Sequence, residues 1–320
     1  MAPTKLVPPA EPAGYVARPR LHALVAEATR HRVTVVSSHA GTGKSVLLAA
    51  YCRTLPPGRV AWVGLDREDD WAPRLWSLVD AALRGPAGGR RRAPLGDDPV
   101  AGILSRLPSD GQPLLLILDD VHELRSTTVL DQLASLLAHA PEGLHVVLAA
   151  RADPGLRLQR LRLAGDLAEI RAADLAFTAS ECASLLATEG VHLEDDALDE
   201  LARRTEGWAA GVRLAALSLR GEADPSHLVR RFTGDDAAVM DYLLSEILDR
   251  QPPDLVDFLL RTSVADVVTP ELADELTGRT DGGRVLARLQ AENFLLSRPA
   301  DDGPAFRYHT LLREFLRAQL

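Results

Sequence analysis

The segment that most constrains this chain is Val33-Thr34-Val35-Val36-Ser37-Ser38-His39-Ala40-Gly41-Thr42-Gly43-Lys44-Ser45-Val46. Four β-branched residues in a row read as a short strand buried on both faces, and the apolar stretch after Lys44 reads as a helix. The glycines between them mark a tight strand-to-helix loop. Such a loop turns backbone N–H groups inward while the start of the helix adds partial positive charge, a combination that suits a phosphate. Lys44 is expected to reach the β- and γ-phosphates of a nucleotide, and the Ser45 hydroxyl to bind Mg²⁺. The backbone of Gly41, Thr42, Gly43 and Val46 completes the cradle. Ser38 stands where the consensus has its first glycine, a departure at one position. Composition sharpens the reading: of 36 basic residues only Lys5 and Lys44 are lysine. In a chain that otherwise uses Arg, a lysine in a glycine loop marks a place too narrow for a guanidinium.

Four further apolar runs accompany this strand. Pro113 to Leu118 ends in Asp119-Asp120, where a strand-end carboxylate can enter the Mg²⁺ shell. Asp119 is assigned to the metal. Asp120 either orients and deprotonates the attacking water or caps the next turn. Leu144 to Ala150 ends in Arg151, which either senses a γ-phosphate and stabilises its transfer or is one more surface arginine. Arg59 to Leu65 and Leu167 to Arg171 bring the count to about five strands separated by helical stretches. The expected fold class is α/β, a doubly wound parallel sheet.

After Phe177 the β-branched runs end. Thr178-Ala-Ser-Glu181 is a capping box opening a helix to about Glu189. Gly207-Trp208-Ala-Ala-Gly211 reads as the start of another helix, with Trp208 either a core aromatic or a base stacker. Residues 236–320 read as helices, then a hairpin of Asn293 to Arg298 and Ala305 to His309, then a last helix, which is a winged helix. His309 joins hairpin to helix and is either structural or a ligand contact. The boundaries drawn are 1–175, 176–235 and 236–320.

Charge excludes some partners. Residues 1–150 carry 16 basic and 15 acidic side chains, net +1, and 151–320 carry 20 and 30, net −10, so the acidity of the chain, −9 in all, resides in the second half. The winged-helix stretch alone has 9 basic against 15 acidic residues, which argues against direct DNA contact. No apolar run approaches the ~20 residues of a membrane span, and nothing reads as a secretory signal. Two cysteines, Cys52 and Cys182, suggest neither a disulfide framework nor a zinc site. A cytoplasmic protein is expected. Arg90-Arg91-Arg92 reads as a solvated loop.

The chain resembles the signal-transducing ATPases with numerous domains, and among them the MalT-like LuxR-family transcriptional regulators. The resemblance is carried in order by Arg18-Pro-Arg-Leu, Ala40-Gly-Thr-Gly-Lys-Ser45, Trp62-Val-Gly-Leu-Asp66 and Leu118-Asp-Asp-Val-His122. It continues through Ala150-Arg-Ala-Asp-Pro154, Thr205-Glu-Gly-Trp-Ala-Ala-Gly211 and Phe306-Arg-Tyr-His309. It implies a nucleotide-binding, a helical and a winged-helix domain closing over ADP or ATP with Mg²⁺. Arg18 would line the adenine side, Arg151 would sense the γ-phosphate, and His309 would touch the β-phosphate of ADP. It also implies slow hydrolysis and self-association with ATP. Inducer sensing and DNA binding would lie in parts beyond this chain. Two rival classes remain at this stage. One is an ordinary P-loop ATPase or kinase of AAA+-like or small-molecule type, and the other an interaction module in which nucleotide is only structural.

Overall fold

The computed structural model describes residues 3–85, 95–107, 111–222, 224–292, 294–299 and 303–320. The Arg90-Arg91-Arg92 loop and the tip of the hairpin lie outside these. The chain divides into two compact units. The first comprises Met1–Pro12, Arg18–Ser38 and Lys44–Leu175, and the second Ala13–Ala17, His39–Gly43 and Ala176–Leu320.

Five strands form the sheet of the first unit: β1 (Val33–Ser37), β2 (Val60–Gly64), β3 (Leu114–Asp119), β4 (Leu144–Ala150) and β5 (Leu167–Ile170). Their order is β2-β3-β4-β1-β5 and every pairing is parallel. The continuous apolar runs follow from burial on both faces, because successive side chains point to opposite sides. Val33, Val63, Leu116, Leu118 and Leu148 enter one core, whereas Val36, Trp62, Leu115, Ile117 and Val147 enter the other. The doubly wound α/β sheet expected from sequence is therefore present. Because all strands run the same way, their C-terminal ends share one edge. Ser37 pairs with Ala150 across it, and Gly64 with Asp119.

Among its described residues the second unit is helical apart from one hairpin and a β-bridge between Val268 and Phe306. Thr178 caps the helix Ala179–Thr188 through a reciprocal box with Glu181, as its spacing predicts. Helices Asp195–Thr205, Ala209–Leu219 and Ala237–Glu246 follow. Then come Pro253–Thr262, Pro270–Thr277 and Gly282–Ala291, the antiparallel strands β6 (Leu296–Ser297) and β7 (Arg307–Tyr308), and the helix Thr310–Ala318. Helices, hairpin and closing helix make the expected winged helix. One core runs from Cys182 and Leu201 to Phe306, Tyr308 and Phe315.

The chain departs from the sequence reading at Gly207-Trp208. The helix there starts at Ala209, with Trp208 extended before it. Glu206 (φ +48°) and Gly207 (φ +70°) turn the chain through the left-handed region. A Cβ on Gly207 would also lie 2.7 Å from the Phe177 carbonyl oxygen, so only glycine fits.

Candidate nucleotide site

At the C-terminal edge of the sheet the first unit gathers Lys44, Ser45, Asp119, Asp120 and Arg151. Lys44 opens the helix Lys44–Cys52, and its ammonium donates to the Ser38 carbonyl at 2.7 Å. Burial lowers its pKa to about 8, opposed by the negative charges of Asp120 and Asp119 and assisted by the positive charge of Arg151. Asp119 ends β3. Burial and the neighbouring Asp120 push its carboxyl up to about 6, against a hydrogen bond from the Ser45 side chain. The two residues assigned to the metal are therefore in contact.

A hydroxyl beside a buried carboxylate is a hard oxygen pair of the kind that holds Mg²⁺ when phosphate and water supply the remaining ligands. Among the described residues no group of three or more His, Cys, Asp or Glu is arranged to hold a metal ion. The donor set therefore fits a nucleotide-bound Mg²⁺ better than an ion caged by protein alone.

Asp120 adopts φ +61°, an uncommon conformation for a residue with a side chain, and its N–H donates to Asp119 Oδ1 at 3.2 Å. The turn leaves its carboxylate 45% exposed beside the buried Asp119. His122, which the sequence reading did not select, ties the two flanks together. Its Nδ1 accepts the Arg151 N–H at 3.4 Å and lies 3.8 Å from Asp120 Oδ1. Burial lowers its pKa to about 4, against the pull of Asp120, so the ring is neutral near pH 7 and can act as that acceptor. A lone histidine carries no pattern. Its place three residues after a strand-end acid is the signal that could have found it.

Arg18 is buried in the same unit and donates from Nη2 to the Leu175 carbonyl at 2.6 Å, which fixes the guanidinium at the start of the helix Pro19–Ala28. Lys5, the other lysine, bridges Asp66 and Asp69 at 2.5 Å each and anchors the N-terminal segment. Cys52 is free and buried, and burial pushes its thiol up to about 12, which makes it inert.

The second unit contains the tip of the phosphate loop, His39–Gly43, and the two motifs that follow the sheet. Gly41 (φ +74°) and Gly43 (φ +85°) take left-handed conformations. A Cβ on Gly41 would lie 2.6 Å from the Ala210 Cβ and from the Tyr242 hydroxyl, so the glycine is required by packing as well as by backbone. Thr42 is buried and its hydroxyl donates to the His39 carbonyl at 3.2 Å. Trp208 is buried, with edge contacts to His39, Tyr242 and His309 at centroid distances of 6.1, 5.5 and 5.6 Å.

His309 is buried at the N-cap of the last helix. Its Nδ1 accepts from Leu311 N–H at 3.2 Å, and its Nε2 donates to the Thr205 carbonyl at 2.9 Å. Burial holds its pKa below the usual histidine value despite the negative charge of Glu206, which keeps the ring neutral. A phosphate contact from Nε2 would replace the Thr205 bond. Glu206 collects the rest of this junction, accepting from Arg307 at 2.8 and 3.1 Å and from the Thr310 N–H and hydroxyl at 3.0 and 2.9 Å.

Comparison with known proteins places these features. A family described as an AAA domain matches residues 27–157, and one described as the MalT winged helix domain matches residues 244–320. The serine/threonine-protein kinase PknK of Mycobacterium tuberculosis is 30% identical over 332 residues, covering 99% of this chain and 30% of that protein. The HTH-type transcriptional regulator MalT of Klebsiella pneumoniae is 30% identical over 331 residues, covering 99% of this chain and 36% of its own length. The chain thus spans about a third of the curated relatives it matches. Among solved structures, a Walker-type ATPase of Pyrococcus abyssi superposes with a TM-score of 0.68 at 14% identity, over 95% of this chain and 96% of its own, a likeness of fold.

Proposed function

As this chain belongs to the MalT-like P-loop ATPases over the part it spans, we propose that it works as the nucleotide-controlled switch of a transcription regulator. ADP holds a resting form, ATP with Mg²⁺ favours a self-associating form, and slow hydrolysis restores the first. The switch consists of a nucleotide-binding part (1–175), a helical part (176–235) and a winged helix (236–320).

One observation carries the reading: Lys44, Ser45 and Asp119 meet at one strand edge, where burial disfavours the charges of Lys44 and Asp119. A polyphosphate beside Lys44 returns the amine to its charged form, and a divalent cation does the same for Asp119. Mg²⁺ bound with the nucleotide supplies neutralising charge for the β- and γ-phosphates. Ser45 and Asp119 hold it, Lys44 neutralises the phosphate oxygens, and Arg151 faces the γ-phosphate. Asp120, exposed enough to meet water, orients the nucleophile and takes its proton. His122 holds the Arg151 backbone next to that acid. An aspartate at this position has a short reach, which favours slow turnover. Arg18 lines the adenine side, and His309 takes up the β-phosphate of ADP in the resting form.

Switching requires the two forms to bind nucleotides unequally, because equal affinity shifts no population. The test is light scattering of the purified chain with ADP and then with ATP and Mg²⁺, run beside a single-turnover hydrolysis assay. Expected are a larger mass with ATP that declines as ADP accumulates, and turnover below about 0.1 per second, the slow range of NTPase switches. Fast steady turnover with one unchanged mass would instead support an ordinary ATPase. Phosphate transfer to a small molecule would support a kinase.

A further inference from the structure

The loop that receives phosphate is held from outside by a residue remote in sequence. The Trp208 indole N–H donates to the Ala40 carbonyl at 2.9 Å, and His39 Nδ1 lies 3.1 Å from the same oxygen. One residue on, the Ala210 N–H donates to the Gly41 carbonyl at 2.9 Å. One residue back, the Thr42 hydroxyl holds the His39 carbonyl. Three consecutive carbonyls of the loop are therefore fixed, two of them by the start of the helix Ala209–Leu219.

A trans peptide is planar, so its C=O and the N–H of the next residue point in opposite directions. Fixing the Ala40 carbonyl on Trp208 fixes the Gly41 N–H on the other side of that plane. Fixing the Gly41 carbonyl on Ala210 does the same for the Thr42 N–H. Glycine at 41 gives neither peptide a steric reason to keep this orientation, since its φ of +74° is one of many it can adopt. The restraint has to come from the partners of the carbonyls.

Trp208 is itself held firmly. It follows the left-handed pair Glu206 and Gly207, packs edge-on against Tyr242 and His309, and faces Gly211, where a Cβ would lie 2.8 Å from its ring. A side chain serving only as core filling would not need its one polar atom aimed at a glycine loop.

We propose that Trp208 is a positioning residue of the phosphate loop, its indole N–H setting the peptide plane that presents the Gly41 N–H to a nucleotide phosphate, with the Ala210 N–H doing the same for Thr42. The inference rests on the nucleotide reading of Lys44 and deepens it. Anion affinity of the loop then depends on an aromatic residue that does not touch the anion, and preorganisation is what that residue contributes.

The test is ADP titration by calorimetry on the wild-type chain, Trp208→Phe and Ala210→Pro. Phenylalanine keeps the ring and loses the N–H. Proline removes the second donor, and its Cδ, taking the place of that N–H, displaces the Gly41 carbonyl and its peptide. The backbone amide resonances of Phe306, Tyr308 and Phe315, in the core of the same unit, report whether each variant keeps its fold. Each lost bond is expected to weaken ADP by about three- to tenfold, the range for a single hydrogen bond, while the loss of buried ring and bonds lowers the unfolding midpoint of the free protein without unfolding it at the titration temperature. Unchanged affinity in both folded variants would overturn the proposal, leaving Trp208 as packing alone. Tighter binding would overturn it in the opposite sense, by showing that the bonds hold the loop against the ligand. A wild-type chain that binds no ADP would sink the nucleotide reading, and this inference with it.

Discussion

The strand-edge site of the first unit and the Thr205-Glu206-Gly207-Trp208 turn of the second solve opposite problems. At the strand edge burial works against the charges. Lys44 is brought down to about 8, Asp119 up to about 6, and His122 down to about 4. At the turn burial also opposes the Glu206 carboxylate, yet the hydrogen bonds from Arg307 and Thr310 hold its pKa below the usual value. Both regions hold a non-glycine residue in the left-handed region, Asp120 at φ +61° and Glu206 at φ +48°, but only the Glu206 side chain is fully engaged by hydrogen bonds across the turn. The first region gains when a ligand arrives with charges of its own. The second is already satisfied, and holds a conformation.

The largest effect that could break this contrast is at Lys44. Lys44→Ala should weaken ADP and ATP by at least about 100-fold, the upper range for a charged hydrogen bond, while the unfolding midpoint stays where it was. Calorimetric titration beside a denaturation curve checks both halves. Near-normal ADP binding would mean that the strand edge is not a phosphate site.

Next in size is Glu206. Its replacement by Ala should cost about 2–3 kcal/mol of stability, because Arg307 and the start of the last helix lose their shared acceptor while the left-handed strain stays. Glu206→Gly relieves the strain and should recover about 1 kcal/mol of that loss. Denaturant unfolding of the two variants separates backbone from carboxylate. Equal stabilities would show that the strain is negligible.

His309→Ala should increase the rate of ADP release several-fold, measured by displacement of a fluorescent ADP analogue. Release at the wild-type rate would confine His309 to capping the last helix.

A smaller effect follows from the Lys44 titration. Without nucleotide the amine loses its proton as pH rises through about 8, and a bound polyphosphate raises that value. Nucleotide binding at pH 8 should therefore take up about half a proton at Lys44, falling toward none below pH 7. Calorimetry in buffers of different ionisation enthalpy reads the uptake directly. At the smallest end, Asp257→Ala removes an exposed partner of Arg261 and should change stability by less than about 0.5 kcal/mol.

How legible each region was follows from the same difference. Strand-edge residues lie within or next to elements that announce themselves. The run Val33 to Val36, the glycines around Thr42 and the acids after Leu118 each carry a local pattern, and parallel strands then bring their ends together. The last hairpin and the capping box at Thr178 are local in the same way. The turn at Glu206 is not. Its helix appears from sequence to begin at Gly207, because nothing local shows that Arg307 and Thr310, about a hundred residues on, will reward a left-handed glutamate. Trp208 has the composition of a core residue, and only the fold aims its N–H at Ala40. His122 stands at a local position, three residues after the strand-end acid, but its contact with Arg151 at the end of β4 is visible only in the fold. No helix among the described residues is long and apolar enough to cross a membrane, in line with the hydropathy of the chain.

The most direct test of the central claim is to denature the purified chain and identify what it releases by chromatography, followed by titration if it is empty. The account predicts adenine nucleotide, with ADP close to one per chain, or saturable ADP binding once added. A chain that releases nothing and shows no saturable binding of ADP, or of ATP with Mg²⁺, would contradict it.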